Sequence, residues 1–224
     1  MKKVFFLFFI SITMSSMMSF PADGDFATKE WTAVTHEKPL LFYISGDGGF
    51  NKFSTNLCDA LNKEDYDVIA LNSRTYFNDK KTPEQTTIDI TNFLSKKLTG
   101  RKNQQVVFIG YSFGADVLPF VLNRLPKNFE DKVKTSFLLA SSGSTDFEIH
   151  WSDIFGGSTK RSMDVASEIN NLQNKKIVIM NGSDDRNLSR NKITLNKFTF
   201  VVLPGGHHFD GDIDEIVKEI IKNM

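Results

Sequence analysis

Between residues 105 and 125 the chain passes from one apolar run to another through a single five-residue turn, Gly110-Tyr111-Ser112-Phe113-Gly114. The run before it, Gln105 to Ile109, is rich in Val, Phe and Ile and reads as a buried strand, while the run after it reads as a helix to about Leu125. A strand that turns into a helix over so few residues holds its central residue in a strained backbone. Side chains at the flanking positions would collide, and glycines at 110 and 114 remove that obstruction. The Ser112 oxygen then projects above the sheet at a helix N-terminus, where the helix dipole favours developing negative charge. The apolar strand before it and the apolar helix after it are the context that a nucleophile elbow needs.

The remaining segments supply that sheet. Leu40 to Ile44 is a short apolar run that ends at glycines, residues 52–63 have helical periodicity, and Tyr66 to Leu71 reads as the next strand. Thr82-Pro83-Glu84-Gln85 is a helix start, with Thr82 as cap, Pro83 in the first turn and Gln85 placed to reach back; the helix is predicted to run to about Leu98 and stop at Gly100. Strands are predicted at Thr135 to Ala140, Lys176 to Met180 and Phe198 to Leu203. A helix from Asp212 to Lys222 follows, with Ile213, Ile216, Val217, Ile220 and Ile221 on one face and Asp212 and Glu215 as a second capping pair. Strands alternating with helices imply a mostly parallel central sheet with helices on both faces. Together with the serine turn this is the pattern of an α/β-hydrolase fold, in one domain with little or no lid. Only 143–170 is long enough to form a cap. Its Phe147, Ile149, Trp151, Ile154 and Phe155 read either as core or as the lining of an acyl or lipid surface.

The N-terminus has a different character. Lys2 and Lys3 precede an apolar run from Val4 to Ile12 and then small and polar residues to Ser19, the order of a secretory signal peptide. The run is shorter than the ~20 apolar residues of a membrane span. Residues 1–22 are therefore predicted to be a signal peptide, cleaved between Ser19 and Asp23 although no A-x-A site marks the position, with an uncleaved anchor as the alternative, and 23–224 the hydrolase domain. The single cysteine, Cys58, excludes an internal disulfide and a CxxC metal site and reads as a buried thiol. Lys plus Arg equals Asp plus Glu, at 27 each, so the charge balance gives no support for a nucleic-acid partner.

A serine hydroxyl needs an adjacent base to act as a nucleophile at neutral pH. In this fold the chain order is Ser, then Asp or Glu, then His. Of the four histidines, His36 precedes the first core strand, and His150 sits in Ile149-His150-Trp151, where it reads as packing or substrate-side. His207 and His208 follow a strand and Pro204-Gly205-Gly206, just before the last helix. His207 is the predicted base, with His208 as the alternative. The acid is predicted in Asn181-Gly182-Ser183-Asp184-Asp185, at Asp185, three residues after the glycine, with Asp184 as the alternative. It would hold the imidazole tautomer and stabilise the imidazolium. Oxyanion stabilisation needs two backbone N–H groups. Phe113, which follows the nucleophile, supplies one, and Asp47, in the loop Ser45-Gly46-Asp47-Gly48-Gly49-Phe50, supplies the other. That loop lacks the G-x-x-x-x-G-K-[ST] of a phosphate-binding loop. His207, His208, Asp210 and Asp212 are ligand-capable, but without a second His/Asp cluster elsewhere no metal is assigned to them; Asp210 and Asp212 read as helix N-terminal residues. No cofactor is expected.

At these residues the sequence resembles the VirJ-type bacterial virulence proteins, a family that includes the hydrolase domain of AcvB. The matching stretches are Ser45 to Gly49; Tyr76-Phe77 with Thr82 to Gln85; Gly110 to Pro119 with Asn123-Arg124-Leu125-Pro126; and Pro204 to Asp212. The family usually has Trp at the positions of Phe50 and Asn78, so the rim of the site and the substrate preference are expected to differ here. The resemblance implies a periplasmic location, an association with type IV secretion and its proteins, and, from some AcvB-like members, hydrolysis of aminoacylated phosphatidylglycerol. The resulting expectation is a periplasmic serine hydrolase cleaving a carboxylic ester of a lipid headgroup, with peripheral contact to the membrane. The rival expectation is a non-enzymatic periplasmic adaptor of a secretion system built on the same scaffold.

Overall fold

The structure is a computed structural model, and it describes residues 26–150, 161–173 and 175–224. The predicted signal segment, and Trp151, Ile154 and Phe155, lie outside the described residues. Seven strands form one sheet. They are β1 (Thr28–Trp31), β2 (Leu40–Ile44), β3 (Val68–Leu71), β4 (Val106–Tyr111), β5 (Val133–Leu139), β8 (Ile177–Gly182) and β9 (Thr199–Leu203). Two short strands, β6 (Ser144–Thr145) and β7 (Met163–Asp164), pair with each other apart from it. The sheet order is β1-β3-β2-β4-β5-β8-β9, and every neighbouring pair is parallel except β1 against β3.

Side chains alternate across such a sheet, and the central strands are apolar at every position because both faces are covered. Phe42, Ile44, Phe108 and Ile179 point to one face, where they pack with α3 (Pro83–Leu98), α4 (Phe113–Leu122) and α6 (Val165–Asn170). Leu41, Tyr43, Val107, Ile109 and Met180 point to the other, against α1 (Lys52–Lys63) and α7 (Ile213–Asn223). Each fully buried side chain of this kind contributes roughly 1.5–3 kcal/mol. Two further single-turn helices, α2 (Ser73–Tyr76) and α5 (Lys127–Glu130), follow β3 and α4.

The helix ends follow from local chemistry. The Asn51 side chain accepts from Ser54 N at 2.9 Å, Thr82 Oγ1 from Gln85 N at 3.1 Å, and Asp212 Oδ1 from Glu215 N at 3.1 Å. The reciprocal halves of the two predicted capping boxes do not form. Gln85 instead donates to Asp89, and Glu215 accepts from Lys218. α4 stops at Leu122, one turn short of the predicted end. β3 begins at Val68 rather than Tyr66, whose carbonyl accepts from Asn62 in the turn that follows α1. Phe147 and Ile149, read either as core or as the lining of a cap, are both buried in the core, and Ile149 also lines the cleft described below.

The topology places the site. From β2 the chain adds β3 on one side and then β4 on the other, so the strand order reverses between β2 and β4. In open parallel sheets ligands bind beyond the carboxyl ends of the strands at such a reversal. The loop 45–49 leaves the end of β2, and Ser112 leaves the end of β4.

Candidate active site

Ser112 has φ 52° and ψ −118°, a conformation L residues rarely adopt. The strain is fixed from both sides. Ser112 N donates to Leu139 O at 2.9 Å on β5, and Ser112 O accepts from Ala115 N and Asp116 N at the start of α4. A Cβ at Gly110 would lie 2.5 Å from Gly114 O, and a Cβ at Gly114 would lie 2.1 Å from Ile44 O. The two glycines are therefore required by close backbone approach, of strand to helix and of helix to the end of β2.

Ser112 Oγ lies 2.8 Å from His207 Nε2, and His207 Nδ1 lies 2.8 Å from Asp185 Oδ2. Asp185 comes from the turn after β8 and His207 from the turn after β9. These turns are tied by Ser183 N donating to Leu203 O and Asp184 N to Gly205 O, with Gly182 so close that a Cβ there would meet Gly206 O at 2.2 Å. The Asp185 side chain is 2% exposed and its Oδ1 accepts from Asn187 N at 3.1 Å, whereas the His207 side chain is 32% exposed. Tyr111 supports the same loop, with its hydroxyl donating to His207 O at 3.4 Å and its ring between Phe53 and His207. Burial and the nearby carboxylates of Asp47 and Asp185 push the Tyr111 phenol well above its ordinary value.

The alternatives lie elsewhere. Asp184 is exposed, and its Oδ1 accepts from Ser183 Oγ. His208 is exposed at the far side of His207, its ring edge-on to Phe53 and Tyr111. Partial burial and His207 lower its pKa. Of the ligand-capable group, His207 is engaged with Ser112 and Asp185, Asp212 caps α7, and Asp210 sits in a left-handed turn at φ 51°. Among the described residues no group of three His, Cys, Asp or Glu converges on a point where a metal would be held.

The loop after β2 is held against Ser112. Ser45 Oγ accepts from Ser73 N at 2.9 Å, Ser73 Oγ donates to Ser45 O at 2.6 Å, and a Cβ at Gly46 would lie 3.3 Å from Ser112 Cβ. Asp47 and Phe113 both line the cleft at Ser112, and among the described residues neither N–H has an acceptor. Two donors without partners beside Ser112 meet the geometric requirement for holding an oxyanion.

The cleft has a volume of about 500 Å³, and its far wall is the segment after β5, with Gly143, Ser144, Thr145, Asp146, Ile149 and His150. His150 Nε2 bonds Asp146 Oδ2 at 2.7 Å. Phe50 and Asn78 do not line the cleft: Phe50 packs half-buried against the core and Asn78 is exposed.

One residue of this cleft escaped the sequence reading. Asp116, one turn into α4, is 4% exposed. Its Oδ1 accepts from Ser141 Oγ and Ser142 N, each at 2.7 Å, and its Oδ2 accepts from Ser142 Oγ. Burial nevertheless pushes its pKa up to about 6. The available signal was a lone charge within the otherwise apolar helix Phe113–Leu122.

Known structures share this frame. The enol-lactonase from Burkholderia xenovorans LB400 superposes with a TM-score of 0.64 at 13% identity, covering 88% of this chain and 95% of its own. Est1E from Butyrivibrio proteoclasticus gives 0.62 at 12% identity, over 88% and 93%. A lipase-esterase related protein from Clostridium acetobutylicum ATCC 824 gives 0.61 at 14% identity, over 88% and 99%. At these identities the likeness establishes the α/β-hydrolase fold. No curated protein sequence matches this chain. Residues 39–224 match the family described as "Bacterial virulence protein (VirJ)".

Proposed function

This chain belongs to the VirJ family of bacterial virulence proteins, and from that premise we propose that it is an exported serine hydrolase that cleaves a carboxylic ester. The observation that carries the reading is the unbroken line from Ser112 Oγ through His207 to the buried Asp185 carboxylate, with 2.8 Å at each step.

The chemistry follows from that line. Ser112 Oγ attacks the ester carbonyl carbon as His207 Nε2 takes the hydroxyl proton. Asp185 accepts from Nδ1–H, which keeps Nε2 free as the base and stabilises the imidazolium. The N–H groups of Phe113 and Asp47 donate to the carbonyl oxygen as it becomes an oxyanion. Collapse breaks the bond to the leaving alcohol, which takes the proton from His207 and departs, leaving an acyl-Ser112. Water then gives its proton to His207 and attacks the acyl carbon. Collapse of the second intermediate returns that proton to Ser112 and releases the acid.

The aminoacyl ester of aminoacylated phosphatidylglycerol is the first substrate to test. The Lys2-Lys3 and Val4 to Ile12 segment supports export to the periplasm, where the domain would touch the membrane surface from outside. Among the described residues no helix is long and apolar enough to cross a membrane. Purified domain should hydrolyse a short p-nitrophenyl ester, and Ser112→Ala should abolish it. A correctly folded protein without turnover would remove the enzyme reading. In cells, a Ser112→Ala strain that keeps the wild-type phenotype would instead favour the adaptor of a secretion system.

A further inference from the structure

The two edges of the central sheet differ in kind. In the order β1-β3-β2-β4-β5-β8-β9 the outermost strands are β1 and β9. An open edge presents unpaired N–H and C=O groups to other chains, and proteins blunt it with charges, proline or a bulge. β1 is blunted: Lys29 and Glu30 stand in mid-strand, and Glu30 pairs with Lys97 at 2.6 Å. β9, Thr199-Phe200-Val201-Val202-Leu203, has no charge and no proline, and its pairing with β8 is regular throughout. Val202 is 57% exposed, and Phe200 and Val201 are half-buried.

Backbone directions show what this edge offers. Leu203 O accepts from Ser183 N at the end of β8, and Gly205 O accepts from Asp184 N. The main-chain groups of a parallel strand turn to one neighbour at alternate residues. Thr199, Val201 and Leu203 therefore face β8, and Phe200 and Val202 face outward. Among the described residues no turn, loop or side chain bonds the N–H or C=O of Phe200 or Val202.

We propose that β9 is a homodimer interface, at which two copies of this chain join edge to edge, antiparallel, about a two-fold axis at Val201. The edge is complementary to itself, as a two-fold contact requires. With Val201 opposite Val201 of the second copy, each Phe200 lies opposite a Val202. Both residues carry outward groups, so the two pairs form about four main-chain hydrogen bonds. Each is also an aromatic and β-branched pair on one face of the sheet, a combination that stabilises cross-strand neighbours and covers the exposed Val202. Charge agrees with this register. Exposed Lys197, just before β9, is carried toward Gly205 of the second copy, and the Asp210 carboxylate lies against Gly205. Among the described residues neither Lys197 nor Asp210 has an ion-pair partner in its own chain. The reciprocal match of apolar pairs and opposite charges favours a second copy over an unrelated strand. The inference does not depend on the hydrolase reading and stands or falls separately from it.

One short strand from each copy buries less than the roughly 1,600 Å² of a standard interface, so the dimer should dissociate in the micromolar range. Sedimentation of the purified protein across that range should show monomer passing to dimer as concentration rises. Val202→Lys, at an exposed position, should keep the protein monomeric about 100-fold above the wild-type midpoint, with an unchanged circular dichroism spectrum. A second variant leaves the edge intact. Val201→Cys places two thiols at the axis, in a pair whose Cα atoms are about 4.5 Å apart, within disulfide range. Mild oxidant should convert it to a covalent dimer. Thr199→Cys, opposite Leu203, should not cross-link to its own counterpart, and the native Cys58 is buried. Wild type that stays monomeric to about 100 μM overturns the inference and leaves the edge to a strand of a different protein. A dimer that survives Val202→Lys, or in which Thr199→Cys cross-links as fast as Val201→Cys, uses another face or register and overturns it as well.

Discussion

Replacing Gly114 with Ala probes the junction on which the site is built. The Gly114 backbone is outside the left-handed region, so alanine meets no conformational penalty there and the obstacle is space alone. The added Cβ would lie 2.1 Å from Ile44 O, 2.7 Å from Ile44 C and 2.8 Å from Ser45 O. All three are backbone atoms of β2 and its following loop, which cannot turn aside as a side chain would. The start of α4 and the end of β2 must part by roughly 1 Å, at a cost near the upper end of the ~1–3 kcal/mol of overpacked sites. For a domain of this size that lowers Tm by roughly 6–12 °C. The displacement separates Phe113 N–H from the Asp47 loop, so ester turnover should fall by the ~10²–10³ that follows loss of an oxyanion donor. Thermal melts and steady-state kinetics check both. Gly206→Ala is the stability control, since a Cβ there has nothing within 4 Å, and it should melt within about 2 °C of wild type. If Gly114→Ala melts and turns over like wild type, the packing account of the elbow is wrong.

The other predictions concern the charges around the site. Asp185→Asn should lower kcat about 10⁴-fold by stabilising the wrong tautomer of His207, while Asp184→Asn should stay within a few-fold; equal effects would show that the buried carboxylate does not orient the imidazole. Burial raises the Asp116 pKa from 3.8 to about 6. The folded protein then holds this proton more tightly than the unfolded chain, and this group's contribution falls as pH rises from about 4 to about 6, by up to roughly 3 kcal/mol. Urea titrations across that window should show the loss in wild type and lack it in Asp116→Asn; parallel curves would refute the assignment. Burial and the neighbouring Asp59 push the Cys58 thiol upward, so a thiol reagent should modify it only after unfolding, and fast labelling of the native protein would contradict the packing of α1.

The parts of the fold that were legible in the sequence are those governed by local rules. β2 and α1 have their predicted limits, because an apolar run ending at glycines and an apolar face at Phe53, Leu57 and Leu61 each admit one reading. Thr82 and Asp212 cap as their positions imply. β1 was not legible. Thr28–Trp31 is polar and half-exposed, and it is a strand only because β3 offers it an antiparallel edge. β4 and β8 run further than predicted, through Tyr111 and Gly182, because pairing with their neighbours carries the ladder past the last aliphatic residue. In the site, Ser112, Asp185 and His207 lie where chain order and spacing put them. The cleft wall is different: Asp116, Ser142 and Thr145 are brought together by the return of β5 beside α4, a contact that no local pattern encodes.

The central claim is that Ser112 is a nucleophile activated by His207. Treatment of the intact protein with a fluorophosphonate, followed by peptide mass analysis, tests it most directly. A single adduct is expected on Ser112; it should not form when the protein is unfolded before treatment, and its formation should be slowed at least 10²-fold in His207→Ala, the scale of general-base assistance. An unmodified Ser112 in the folded protein, or labelling as fast without His207 as with it, would contradict the account.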